Sequence, residues 1–333
     1  MGALWQTDST KAAVDTDSKD EQPLPRRPRK QLYRWRVVWL LLAIGLIAAG
    51  FVAQREMRTS QWQAQQLSHL AASLSYSLQP GPSDAMVYPG EGPFDKRLGY
   101  SDLDEFLPRL LKRNYLVQNQ VRFSPSLLGY TQRGLFVPYA EKSQAGLSIN
   151  DCRAEPLYQF SYPQQLYQDF AAIPPVVVNS LLFIENRDLL DPAQPEANPA
   201  VDWPRFARAA WSQVAKLLHL PGQSAGGSTL ATQLEKYRHS PDGLTLSGSE
   251  KLRQMFSASV RAYLQGPQTL QARQNVVRDY LNSVPLSAVP GHGEVHGMAE
   301  GLRVWYGADF NRTNALLADT SAQNLAQKGL ALR

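Results

Sequence analysis

The sequence predicts a mainly helical protein: one membrane-spanning helix (37–53), a small α+β membrane-proximal module (54–170) and a helical domain (171–333). Three observations predict it. The run Val37 to Ala53 carries no charged residue and is rich in Leu, Ile, Ala and Val. From Met86 to Tyr167, Pro and Gly recur and short apolar runs alternate with turns, the pattern of short strands. From Pro174 onward, apolar residues return at helical spacing in one segment after another.

A chain of 333 residues with 43% hydrophobic content can bury a core and has the length of about two domains. Its net charge of +5 and pI near 9.2 suit an anionic partner such as a phospholipid surface, a pyrophosphate or a nucleic acid. The single cysteine, Cys152, excludes an intramolecular disulfide and a cysteine zinc site.

Residues 1–36 read as a disordered, basic tail. The first 25 are polar and mixed in charge, and Arg26, Arg27, Arg29, Lys30, Arg34 and Arg36 follow. A basic run of this kind can bind nucleic acid, but the apolar run after it overrules that reading. At roughly 17–25 residues a helix spans a bilayer, and 37–53 meets the lower bound. The basic flank lies on its N-terminal side, so the tail is expected in the cytoplasm and the bulk of the chain outside. A long tail before the apolar run, without a clear A-x-A site, argues against a cleaved signal peptide. Leu67, Leu70, Ala71 and Leu74 then mark a helix within 54–80, ended by Pro80-Gly81-Pro82. The module that follows offers strand candidates at 116–117, 121–123, 134–137 and 157–162, with one helix at 103–113. It shows no chemistry, and a spacer or partner-docking role is expected of it.

In the helical domain, Pro174-Pro175 starts a helix whose apolar face is Val177, Leu181 and Ile184. The polar group Glu185-Asn186-Arg187-Asp188 ends it. Asp202 caps a second helix, with Phe206, Ala210, Trp211, Val214 and Leu218 expected inward. A loop leads to Gly226-Gly227, and Ser228 is a candidate N-cap for the helix that carries Lys236. A helix over 250–264 is expected to bury Leu252, Met255, Phe256, Ser259, Val260 and Tyr263, with Lys251, Gln254, Ala258 and Arg261 on another, polar face. A helix over 273–284 turns Val276, Val277, Tyr280, Leu281 and Val284 inward. A Gly-rich loop, a helix over 294–306 and an Ala/Leu-rich helical tail complete the chain.

Three chemistries can be weighed on residues alone. Ser228 sits in no G-x-S-x-G turn and pairs with no His and Asp in the pattern, which argues against a serine hydrolase. His292-Gly293-Glu294-Val295-His296 misplaces the glutamate of a zinc motif, and its glycines break the helix such a motif needs. Glu185 is different: a carboxylate closing an apolar helix beside Arg187 is a candidate general base. Glycines at a helix start, with Lys236 two turns on, suit a phosphate-bearing substrate.

Five motifs in order connect these pieces. They are Glu185-Asn186-Arg187; the glycine-led stretch Gly226 to Lys236; Glu250-Lys251-Leu252-Arg253-Gln254; Val276 to Asn282; and a last helix closing on Trp305-Tyr306-Gly307. Arg208 lies on a helix between the first two. From about Pro174 to Gly307 the chain resembles the peptidoglycan glycosyltransferases of glycosyltransferase family 51, which form the transglycosylase module of class A penicillin-binding proteins. The motifs align with the family's E-D-R, G-G-S-T-x-T-Q-Q-L-x-K, R-K-x-x-E and I-L-E-x-Y-L-N patterns and with its closing Y-F-G.

The resemblance implies a lysozyme-like fold, a single-pass protein of the bacterial inner membrane, and polymerisation of lipid II into undecaprenyl-linked glycan on the outer face. It places Glu185 as general base and Gln254 at the second catalytic position. Arg187, Arg208, Gly226, Gly227, Ser228, Thr229, Gln233, Lys236, Lys251 and Asn282 fall at substrate-binding positions. Other cell-envelope proteins become expected partners, and nucleic acid does not.

The chain departs from the pattern. Gln254 stands for the second glutamate, and an amide is a poorer ligand for the Mg2+ or Mn2+ the resemblance implies. Asn186 replaces an aspartate, Ala231 and Thr232 replace Thr-Gln, Tyr237 replaces an asparagine and Arg278 replaces a glutamate. Two readings follow: an active glycosyltransferase, or a non-catalytic scaffold that binds lipid II or envelope partners. A lytic enzyme on a lysozyme-like fold is a third.

Overall fold

The computed structural model describes residues 29–142, 144–217 and 227–319. The described residues are mainly helical, with three separate two-stranded antiparallel sheets. The chain divides into two units, 1–52 and 53–333. The expected tail up to residue 28, the glycine-rich approach at 218–226 and the expected helical tail after 319 lie outside the described residues.

Helix α1 runs Arg29–Thr59 and contains one stretch, Trp35–Thr59, long and apolar enough to cross a membrane. The single helix expected over 54–80 is instead α2 (Gln61–Ser73) followed by strand β1 (Tyr76–Pro80). The break has a local cause. Ser60 adopts a left-handed conformation (φ 55°), and the Glu56 carboxylate accepts the backbone N–H groups of Trp62 and Gln63, both at 2.9 Å. An acid at a helix start satisfies donors that have no helical partner.

Short helices α3 (Pro93–Arg97) and α4 (Leu103–Leu111) follow, then β2 (Asn119–Phe123), α5 (Pro125–Gln132), β3 (Ala145–Asn150) and β4 (Pro156–Tyr162). β1 pairs with β2, and β3 with β4. Of the strand candidates, 121–123 and 157–162 lie in β2 and β4; 116–117 and 134–137 form no strand.

The remaining elements are α6 (Pro175–Glu185), α7 (Trp203–Leu217), α8 (Leu230–His239), α9 (Gly248–Ala262) and α10 (Leu270–Ser283). After them come hairpin β5 (Pro285–Val289) and β6 (Gly293–His296), α11 (Met298–Tyr306) and α12 (Phe310–Ala318). The expected Gly-rich loop and the first turn of the expected 294–306 helix are therefore a hairpin. Its return strand buries Val295 and ends at Gly297, whose φ of 81° suits glycine.

Two larger cores, beside a small cluster of Ala200, Ala231 and Ala258, pack the described residues of this unit. One joins α6, α10, α12 and the start of α8 through Val177, Val178, Leu182, Leu230, Val277, Leu281 and Leu317. The other joins α2, β2 and α5 to α9 through Ala71, Leu74, Phe123, Leu127, Tyr130 and Val260. The membrane-proximal segments thus share a core with the helical domain.

Two helix faces differ from expectation. On α7, Phe206 and Trp211 are exposed, Trp211 at 66%. On α9, Leu252 and Phe256 are exposed, while Gln254, Ser257 and Ala258 are buried. The polar face of α9 turns inward because its partners on neighbouring elements are polar. Arg261 pairs with Glu235 of α8 at 2.7 Å and donates to the Val137 and Tyr139 carbonyls, each at 2.8 Å. Periodicity reads the apolar stripe as inward by default; Ser259, Val260 and Tyr263 are buried as expected, and the ionic pairing brings part of the polar face inward as well.

Candidate active site

Helix α6 begins after Pro174, whose fixed φ suits a helix entry, and stops at Glu185 because Asn186 is extended (φ −162°). The exit is pinned twice. The Arg205 guanidinium donates to the Glu185 carbonyl, and the Asn186 side chain accepts the Asp188 N–H at 3.0 Å. Arg205 is placed by α7, whose first turn is capped by Asp202 accepting the Arg205 N–H at 2.9 Å. The Asp202 cap agrees with the sequence pattern.

Glu185 is half-buried, and its carboxylate meets α8. Gln233 Nε2 donates to Glu185 Oε2 at 3.3 Å, and the Tyr237 hydroxyl donates to Gln233 Oε1 at 2.9 Å. Gln233 and Tyr237 are one helical turn apart, so one face of α8 carries both. Burial raises the Tyr237 pKa, the Tyr280 hydrogen bond opposes that and the Glu185 charge adds to it. Burial raises Tyr280 too, with the neighbouring Tyr237 and Glu185 adding to it. Both phenols therefore stay protonated beside the acid.

Two ammonium groups complete the face. Lys236 follows Gln233 on α8; its Nζ lies 4.7 Å from the Tyr237 ring centroid, and burial lowers its pKa. Lys251 of α9 donates to Ser228 Oγ at 2.8 Å and to Thr232 Oγ1 at 3.4 Å. Burial, and then the nearby charge of Lys236, lower the Lys251 pKa to about 8. Among the described residues, neither lysine shows a carboxylate partner. The two ammonium groups repel each other, as the lowered Lys251 pKa reflects.

The cap of α8 is not Ser228 but Thr229, which exchanges hydrogen bonds with Thr232 across the first turn: the Thr232 N–H reaches Thr229 Oγ1 at 3.3 Å, and the Thr229 N–H reaches Thr232 Oγ1 at 2.9 Å. This leaves the Ser228 hydroxyl to hold Lys251. Gly227 is half-buried beside it, and Gly226 lies outside the described residues.

Other expected residues are placed differently. Gln254 has no exposed surface; its amide donates to Ser240 Oγ at 2.9 Å and to Thr245 Oγ1 at 3.0 Å. Glu250, one turn earlier, is engaged by Ser240 and Arg253. Asn282 is buried and clamps the Tyr167 backbone, accepting its N–H at 2.9 Å and donating to its carbonyl at 2.8 Å. Arg187 is exposed and stacks 4.1 Å from the Phe183 ring centroid, and exposed Arg208 donates to the Pro204 carbonyl at 3.2 Å. The structure therefore gathers Glu185, Ser228, Gln233, Lys236 and Lys251 around α8. It uses Thr229, Gln254 and Asn282 to hold local backbone and loops.

Sequence reasoning missed Tyr237, Thr232, Arg205 and Arg273. Arg273 is fully buried and donates to the carbonyls of Leu189 (2.8 Å), Asp191 (3.2 Å) and Gln194 (2.8 Å), tying down the loop that leaves Glu185. The i,i+4 spacing of Gln233 and Tyr237 was a usable signal. Nothing local announced the role of Arg273.

The donor set does not fit a divalent cation. Hard cations take several oxygen ligands, whereas the described residues hold no group of three Asp, Glu, His or Cys side chains arranged to hold a metal ion, and the Gln254 amide is fully engaged. His296 is not a ligand of this kind; it sits on β6 with Nε2 3.0 Å from Glu294.

A family model described as Transglycosylase matches residues 153–326, from the turn before β4 through α12. A comparison with curated proteins gave no match.

Proposed function

Because the chain belongs to the transglycosylase family, we propose that it is a membrane-anchored peptidoglycan glycosyltransferase polymerising lipid II, with Glu185 as general base. The observation that carries this reading is the Glu185–Gln233 hydrogen bond, which holds the acid against α8, the helix that carries Lys236 and whose first turn Lys251 contacts through Thr232. Glu185 takes the proton from the acceptor sugar hydroxyl. The freed oxygen attacks the donor anomeric carbon with inversion, and the bond to the lipid diphosphate breaks with its electron pair on the departing oxygen. Lys236 and Lys251 hold that developing charge, and Gln233 keeps Glu185 aimed. In this reading the fold is lysozyme-like, and α1 anchors the chain in the bacterial cytoplasmic membrane with residues 53–333 outside.

The buried Gln254 favours one alternative, a non-catalytic scaffold that binds lipid II or envelope proteins without turning it over. Incubating the full chain in detergent with labelled lipid II separates the two. The enzyme yields glycan polymer, at the same rate with and without added Mg2+ or Mn2+. Retained lipid II binding with no polymer under either condition supports the scaffold.

A further inference from the structure

Behind α8, on the side away from Glu185, lies a cavity of about 290 Å3 enclosed by α3, the 138–141 loop, α8, α9 and α10. The helical period separates the two faces: Gln233 meets the acid and Tyr237 meets Gln233, whereas Ala231, Leu234, Glu235 and Arg238 line the cavity. Room is left because alanines meet there from three helices, Ala231, Ala258 and Ala272 among them.

The walls carry opposite charge. On one side Arg238 (3.3 Å) and Arg278 (2.7 Å) share the single carboxylate of Asp279, a wall with one more cation than anion, and Arg238 also feels the charge of Glu141 across the cavity. On the other, Arg261 pairs with Glu235 at 2.7 Å, and His239 contacts Asp95 at 2.8 Å and Glu141 at 3.1 Å. Of these, Glu141, Glu235 and Arg261 line the cavity, two carboxylates against one cation, while Asp95 and His239 line a neighbouring pocket. Burial alone would lower the His239 pKa, but the Glu141 charge and the hydrogen bonds to Asp95 and Glu141 raise it to about 9. Ala231 and Arg278 are also two of the positions at which this chain departs from the family pattern. One change removes a hydroxyl and the other exchanges an acid for a cation, and both fall on this cavity.

We propose that this cavity is a second ligand site for a short zwitterion, an amino acid or dipeptide, whose carboxylate meets the Arg238–Arg278 wall and whose ammonium meets the Glu141–Glu235 wall. The volume lies at the lower end of ligand pockets, about 300–1,000 Å3, which suits a molecule of that size. The site is separate from the Glu185 face, so it stands or falls independently of the glycosyltransferase reading.

The test is calorimetric titration of the full chain in detergent with L-alanyl-L-alanine, against the N-acetylated and the C-amidated dipeptide. Saturable binding is expected for the free dipeptide, with each blocked form weaker by about tenfold or more. Arg278→Glu, which reverses the cationic wall, and Ala272→Leu, which fills the cavity from α10, should each weaken the free dipeptide by a similar factor. Circular dichroism confirms that each variant is folded, and Ala272→Leu perturbs no ion pair. Absent binding of the free dipeptide, equal binding of the blocked forms, or binding unmoved by both folded variants overturns the proposal.

Discussion

Lysine 251 offers the sharpest quantitative handle on the site. Its ammonium is hydrogen-bonded to the hydroxyls of Ser228 and Thr232, and burial followed by the charge of Lys236 lowers its pKa to about 8. The group is therefore about nine-tenths charged at pH 7 and about one-tenth charged at pH 9. A bound diphosphate requires the charged form. Raising the pH from 7 to 9 then costs up to about 1.4 kcal/mol, a tenfold loss of affinity. The sign follows from the direction of the shift: a lysine lowered toward neutrality holds an anion best below its pKa and loses it above. Farnesyl diphosphate, titrated calorimetrically into the full chain at pH 7, 8 and 9, measures this. Lys251→Arg keeps a charge across the range and should flatten the profile, and Lys251→Met should be weak throughout. A wild-type profile as flat as that of Lys251→Arg, or an Arg variant that falls just as steeply, would refute the reasoning.

Three further outcomes follow from the packing. His239 gains its partners only on folding, so its stabilisation is complete below pH 6.5 and disappears as the pH rises through about 9. The upper bound is about 3 kcal/mol from the shift, and thermal melts of wild type and His239→Gln should converge at high pH. Asn282→Ala removes both clamps on the Tyr167 backbone and should cost about 2 kcal/mol in denaturant unfolding; an unchanged midpoint would deny the clamp. Gly297→Ala places a Cβ 2.5 Å from the Asn282 carbonyl oxygen at a φ of 81°, and should destabilise by more than about 1–2 kcal/mol. A neutral effect in the same assay would show that the turn relaxes.

Much of the site could be read from the chain because its determinants are local. Pro174 starts α6, Glu185 ends it, Asp202 caps α7, and Lys236 rides on a helix announced by glycine and threonine. The failures are non-local. β1 was read as helix because its partner β2 arrives only at Asn119–Phe123. The inward polar face of α9 depends on Glu235, Ser228 and the carbonyls of Val137 and Tyr139, none of which is near it in sequence. Gln254 was placed with the chemistry by motif position, yet Ser240 and Thr245 enclose it, a fact that no spacing within α9 could reveal. Arg273 looked like an ordinary basic residue in a first helical turn, because the three carbonyls it holds belong to the loop after Glu185.

The central claim is that Glu185 removes a proton while the lysines hold the diphosphate. Turnover and lipid II binding measured on the same preparations of wild type and Glu185→Gln test it most directly. Loss of a general base should lower the polymerisation rate by about 10²–10⁴-fold and leave lipid II affinity within about twofold, since the amide preserves the contact with Gln233. A Glu185→Gln variant that polymerises lipid II at the wild-type rate would contradict the account.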